Sequence, residues 1–350
     1  MFATMKPGGY FDTTYNERLR IIYTPWQWGA WICFLVLISL YPIFVSSYLA
    51  TIGIRIGISI ISVIGLNIIV GSTGLLSVGH AAFMAVGAYC SSILMSKLGF
   101  NFFTSLLTAG LMGGIAGLIF GAPSLRIKGF YVALATLAGH FIIIWLLMEW
   151  FGGATAQPAP RPQIFGISFD SDISYYYLVA VVTIFFGIFA RNLLRSKIGR
   201  AFVATRDNDI AAEILGVNIY ACKLLSFFVG CFYAGVSGCL MAHFWGFTNI
   251  QAFPFDNAIW YLGMVIVGGM GSVLGSVFGA AFFVILEELS FIIAPSIAVL
   301  IPSLGVATEA AIKWLIFSGV IIVFVIFEPN GMAHRWNLIK ASFRIYPFNY

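Results

Sequence analysis

Ten apolar runs divide this chain, several of them long enough to form helices that cross a bilayer, and no water-soluble fold can bury so many. They cover approximately residues 28–46, 49–70, 81–96, 102–121, 130–151, 175–190, 221–245, 258–270, 272–294 and 310–327. A helix needs about 20 residues to span ~30 Å of hydrocarbon, and several of these runs reach or approach that length. With 61% hydrophobic and only 9% charged residues, the chain reads as an all-α, polytopic membrane protein of about ten transmembrane helices. A β-barrel would show short alternating strands instead.

Cytoplasmic loops of membrane proteins are enriched in Lys and Arg. Alternating the ten runs from an interior polar segment at 191–220 puts Lys6, Arg18, Arg20, Arg126, Lys128, Arg191, Arg195, Lys197, Arg200, Arg206, Lys223, Arg335, Lys340 and Arg344 on one side. The other side receives Arg55, Lys97, Arg161 and Lys313. Fourteen against four makes the first side cytoplasmic and puts both termini inside. The expected organisation is an N-terminal arm (1–27), a transmembrane domain (28–327) with an outer loop at 152–174, and a C-terminal tail (328–350). The formal charge of +5 follows from this bias and calls for no nucleic acid.

Familiar catalytic chemistry is scarce. The five cysteines (Cys33, Cys90, Cys222, Cys231, Cys239) lie in apolar segments without metal-ligand spacing, so they read as small core residues. No G-x-x-x-x-G-K-[ST] loop is present to cradle ATP phosphates. Gly235-Val236-Ser237-Gly238 matches the G-x-S-G of intramembrane serine proteases. Its nearest later histidine, His243, is six residues on along the same helix, about 600° around and ~9 Å along the axis, so the two cannot readily share a proton. Glu149, Glu287, Glu288, Glu309 and Lys313 fall near the outer ends of their runs and read as anchors or paired charges. His80 and His140 read as packing residues. Neither a metal nor a cofactor is expected in this chain.

Two segments interrupt the apolar pattern in the same way. "VGSTGLLSVGH" (70–80) and "VGGMGSVLGS" (267–276) are glycine-dense. Broken helices inside a membrane are tolerated where they are buried in protein or line a wet cavity. Close helix packing through Gly275 and Gly279 is the competing explanation. As candidate translocation-path residues these segments offer Asn67, Gly71, Ser72, Thr73, Gly74, Ser77 and His80, and then Gly268, Gly269 and Gly271.

The polar segment is the opposite anomaly. Residues 191–223 hold nine of the thirty-one charged residues. Asp207, Asn208 and Asp209 can cap a helix start, residues 210–215 are good helix formers, and Gly216 supplies a left-handed stop. A one- to two-turn amphipathic helix is expected here, facing the cytoplasm. In a channel lacking its own energy source, such a helix suits reception of a mechanical stroke from a separate ATPase.

At these residues the chain resembles the permease subunits of branched-chain amino acid ABC importers, the LivM-like family. The resemblance covers about residues 52–331 and rests on four ordered blocks: "GLNIIVGSTGLLSVGHAAFMAVGAY" (65–89), "SLRIKGFYVALATL" (124–137), "GRAFVATRDNDIAAEILGVNIYACKLLSF" (199–227) and "VIVGGMGSVLGSVFGAAFF" (265–283). It implies a type II importer fold, a second homologous permease, two cytoplasmic ATPases that bind ATP and magnesium, and a periplasmic solute-binding protein. It also implies that 191–220 is the coupling segment, with Arg206, Asp207, Asp209, Ala211, Ala212, Glu213, Leu215 and Gly216 as the ATPase-coupling residues. The chain departs from the family at Gly129-Phe130-Tyr131, where many relatives read G-D-Y, and at Phe151-Gly152-Gly153, where they read T-G-G. The solute stays open among branched-chain amino acids, urea, amides and aromatic acids. A standalone channel or secondary carrier is the alternative of another class.

Overall fold

The structure, a computed structural model, describes residues 25–124, 131–151, 156–164, 167–300 and 308–345. Most of the expected N-terminal arm, Arg126, Lys128 and the motif at Gly129–Tyr131 up to Phe130 lie outside the described residues, as do Gly152 and Gly153 of the outer loop.

Two units emerge, residues 1–50 and 51–350. The described part of the first holds helix α1 (Pro25–Phe44), which carries Pro42 inside it and ends in a break at residues 45–46, and the first turn of α2 (Ser47–Asn67). Tyr41 donates to the Leu49 carbonyl at 2.9 Å and bridges that break.

The second unit carries the remaining helices: α3 (His80–Lys97), α4 (Phe102–Ser124), α5 (Tyr131–Trp150), α6 (Asp172–Arg195), α7 (Lys197–Asp207), α8 (Asp209–Ile214), α9 (Ile219–Trp245), α10 (Phe255–Gly268), α11 (Val273–Leu300), α12 (Thr308–Phe327) and α13 (Met332–Ile345). Each of the ten apolar runs contains one of these helices. Seven spans among the described residues are long and apolar enough to cross a membrane, and an eighth arises if α12 and the start of α13, bent by 45°, are taken together. The count of about ten is therefore approximate. The shortfall falls on α1, α3 and α12, which do not qualify alone.

Helix α9 sits at the centre, packed on α4 and α3. Its Gly235 and Gly238 lie against the backbones of Ala109 and Met84, so three helices approach closer than branched side chains would permit. Tyr175 of α6 donates to the Leu240 carbonyl at 2.6 Å, and Tyr233 of α9 donates to Phe186 at 2.8 Å. These two hydroxyls satisfy themselves while locking α6 to α9. Helices α10 and α11 form a tight hairpin, backed by α12 through the Trp260–Phe317 stack at 4.4 Å. On the loop side, strands β1 (Gln157–Pro158) and β4 (Phe247–Thr248) pair antiparallel, and β2 (Gln163–Ile164) pairs with β3 (Ile167–Ser168).

Of the charges read as anchors or paired groups, Glu287 and Glu288 are both paired, and with the same Arg55. Arg55 is the ninth of 21 residues in α2, and Glu287 is the fifteenth of 28 in α11, so neither stands at a helix end. The Arg55 guanidinium forks across both carboxylates, one Nη to Glu287 and the other to Glu288. Within apolar helices, a partner of opposite charge is what makes such charges tolerable. Glu287 and Arg55 are 232 residues apart, which is why the sequence alone could not say which charges pair.

Candidate functional site

The first glycine-dense segment breaks α2 at its C-terminal end. After Asn67 the helix widens into a π-helical turn, Ile68–Ser72, and then runs irregularly until α3 begins at His80. Thr73 contributes by returning its hydroxyl to the Ile69 carbonyl at 2.7 Å, a bond that competes with the regular ladder. Gly74 then takes φ +71°, and α2 cannot continue. The second segment ends α10 at Gly268, and α11 restarts at Val273, where Ser272 Oγ accepts from the Gly275 amide at 3.2 Å.

The two breaks meet. Asn67, only 5% exposed, donates through Nδ2 to the Ser272 carbonyl at 2.9 Å and to Ser276 Oγ at 2.8 Å. Its Oδ1 accepts from the Gly271 amide at 2.7 Å. One buried amide thus bonds three polar groups at the second break, and for the Gly271 amide it supplies the acceptor that the break removes. Gly71 packs so closely here that a Cβ would overlap Asn67 Oδ1 and the Gly271 nitrogen. Only glycine fits.

Arg206 completes the cluster from α7. Its Nη1 donates to the Gly71 carbonyl at 2.8 Å, and its Nε and Nη2 both reach Asp207 Oδ1 at 3.0 and 2.8 Å. Beside it opens a cleft of about 430 Å³, lined by Val70, Gly71, Gly74, Leu76, Arg206, Met270, Pro329 and Asn330. Of the candidate path residues, Asn67, Gly71, Gly74 and Gly271 gather at this point. Gly268 and Gly269 pack on Gly275, Asn330 and Ala333 next to it. Ser72 is buried, and Thr73 shares a 3.1 Å hydrogen bond with Ser226 of α9. His80 lies apart, its Nε2 3.1 Å from Ser62 Oγ and its ring edge-on to Tyr261. Ser77 is also fully buried.

The polar segment folds as two helices joined at Asn208. Helix α7 was not anticipated. It is capped by Ser196 and buries Phe202 and Thr205. In α8, Asn208 Oδ1 accepts from the Ala211 amide at 3.0 Å, and Gly216 turns the chain at φ +85°. Ala212 is 2% exposed and pins α8 inward, whereas Ile210, Ile214 and Leu215 are 64, 81 and 82% exposed. Ala211, Glu213 and Gly216 are exposed as well, and Asp209 is partly so. Hence α8 presents an apolar ridge with a charged margin.

Sequence reading missed Ser272, Ser276 and Ser226, whose roles depend on partners far away in the chain. Arg206, expected among the ATPase-coupling residues, is exposed and also turns its Nη1 toward the Gly71 carbonyl. Ser237 returns its hydroxyl to Ala234 at 2.8 Å, while His243 Nδ1 lies 2.8 Å from the Pro160 carbonyl. Those two side chains are engaged separately.

Residues 48–326 match the family model described as "Branched-chain amino acid transport system / permease component". The chain is 32% identical over 328 residues, covering 86% of this chain and 73% of the relative, to the high-affinity branched-chain amino acid transport system permease protein LivM of Escherichia coli K12. It is 22% identical to the probable branched-chain amino acid transport permease protein LivM of Methanocaldococcus jannaschii, over 69% of this chain and 70% of that one. It is 24% identical to the LivH permease protein of the same E. coli strain, over 79% and 92%.

Proposed function

The chain belongs to the family of branched-chain amino acid transport system permease components, and from that membership we propose that it is the membrane-spanning subunit of an ATP-binding-cassette importer in a bacterial inner membrane. It pairs with a second, homologous permease and is driven by two cytoplasmic ATPases. A periplasmic binding protein hands it a branched-chain amino acid or a related small polar solute. Both termini and the segment 191–220 face the cytoplasm, in keeping with the Lys and Arg bias.

The observation that carries this reading is the construction of α8. Three large apolar side chains, Ile210, Ile214 and Leu215, stand exposed on a helix whose ends are both closed by the chain itself. On a segment this polar, such a ridge is out of place unless a protein surface covers it. Helix α8 is joined through α7 to the place where the two glycine breaks meet, so force applied to it reaches the membrane interior.

Reconstitution tests the proposal. The tagged chain, purified from its native membrane with its associated subunits, should bring a P-loop ATPase and a second permease. In proteoliposomes it should import labelled leucine only when ATP and the binding protein are supplied. Solute flux through the chain alone would overturn the proposal in favour of a channel or carrier. Import of urea or an aromatic acid in place of leucine would keep the importer and change its solute.

A further inference from the structure

We propose that Arg206 is the positioning residue that transmits movement of α8 to the broken helix α2, by capping that helix across 135 residues of sequence. The proposal rests on the importer reading above and adds to it the route of the stroke.

Helix α2 ends in a π turn, and the carbonyls of a helix's last turn have no partner within the helix. Those of Ile69 and Val70 are taken by Leu75 and Gly74 amides at 3.2 Å. The Gly71 carbonyl is taken instead by the Arg206 guanidinium at 2.8 Å. A cation at the negative end of a helix is favourable, and a charged donor makes the bond stronger than a neutral one. Asp207 grips the opposite edge of the same guanidinium and fixes its direction. Arg206 therefore stands one residue from Asp207, at the end of α7 where α8 begins after Asn208. Any displacement of α8 pulls on it directly.

What it holds is also poised. Gly71 contacts Gly271 and Asn67, and the Gly271 side of that contact lies 3.2 Å from both Arg206 Nη1 and the Gly71 carbonyl when a Cβ is placed there. Withdrawing Arg206 uncovers the Gly71 carbonyl and loosens the seam that Asn67 closes, on the wall of the 430 Å³ cleft. The stroke thus opens the inner end of the path.

The test uses the complete complex in proteoliposomes, with ATP hydrolysis and solute import measured together. Arg206→Ala should keep the ATPases bound and hydrolysing while import per ATP falls about tenfold, the scale of one lost charge-assisted hydrogen bond. Arg206→Lys should fall between, since one ammonium cannot grip Asp207 and Gly71 as a fork does. A second readout separates coupling from folding. Met270→Cys, on the exposed lip of the cleft, should change its rate of labelling by a charged thiol reagent when ATP is added, in a background with Cys33, Cys90 and Cys222 replaced by Ser. Arg206→Ala should abolish that change. Unaltered import per ATP in Arg206→Ala, or an intact ATP-dependent labelling change, would overturn the proposal with the importer still standing. Absence of ATPases from the wild-type complex would remove the importer reading itself.

Discussion

Asn67 on α2 and Ser276 on α11 lie 209 residues apart and share a 2.8 Å hydrogen bond inside the membrane domain. Eleven residues further along α11, on the same face, stands Glu287, which Arg55 of α2 engages. The same two helices are therefore clasped at two heights, roughly 16 Å apart at 1.5 Å per residue.

Asn67→Leu should destabilise the protein by about 2–4 kcal/mol. It leaves the Gly271 amide unpaired, at about 1–3 kcal/mol, and takes one bond each, at about 1 kcal/mol, from Ser276 Oγ and from the Ser272 carbonyl, which keeps the Ser276 amide at 3.1 Å. Ser272 and Ser276 keep a partial substitute in each other at 3.4 Å, which softens the loss. A drop in the midpoint of thermal unfolding in detergent is the measurement. An unchanged midpoint would mean that water replaces the amide.

Two glycine substitutions should separate close approach from backbone conformation. Gly71→Ala puts a methyl group onto Asn67 and Gly271, so little folded protein should reach the membrane. Gly216→Ala meets no atom within 4 Å but must hold φ +85°, at about 1–2 kcal/mol. That mutant should be inserted normally, with a frayed α8 visible as faster proteolysis near residue 216.

Arg55→Lys should fall between wild type and Arg55→Met, since it keeps the charge and loses the fork. An ammonium cannot set two separate donors on Glu287 and Glu288 as the fork does. Because Arg55 is 32% exposed, the loss is on the order of 2 kcal/mol rather than the full cost of an isolated buried pair. Unfolding of both variants against wild type, at equal detergent, checks this.

Ile214→Asp and Leu215→Asp should leave expression and thermal stability within error, because both side chains are more than four-fifths exposed. ATPase co-purification should drop by more than tenfold in each. Glu213→Lys, at the charged margin of the same ridge, should uncouple uptake while the protein stays in the membrane. Ala212→Asp, by contrast, buries a charge and should lower stability itself.

What could be read without coordinates was local. The ten apolar runs, the cap at Asn208 and the stop at Gly216 each depend on a few neighbouring residues, and the structure has them where the pattern put them. The glycine-dense segments announced broken helices for the same reason. That the breaks touch each other is a long-range fact: Asn67 and Gly271 are 204 residues apart. Arg55 illustrates the same limit, since a lone arginine in an apolar run shows neither its depth nor its partners. Helix α7 escaped notice because its charged surface outweighed the buried Phe202 and Thr205 that seat it.

The paired clasps between α2 and α11 restrict how these helices can move. A rod held at two points neither slides nor spins. Freed at Asn67 alone, it pivots about Arg55. Over the ~18 Å of helix between those residues, a tilt of roughly 10° swings the lower end by about 3 Å, close to the diameter of one water molecule. The pivot and the seam thus share a single helix, and a small rotation about Arg55 would part the contact between the two breaks.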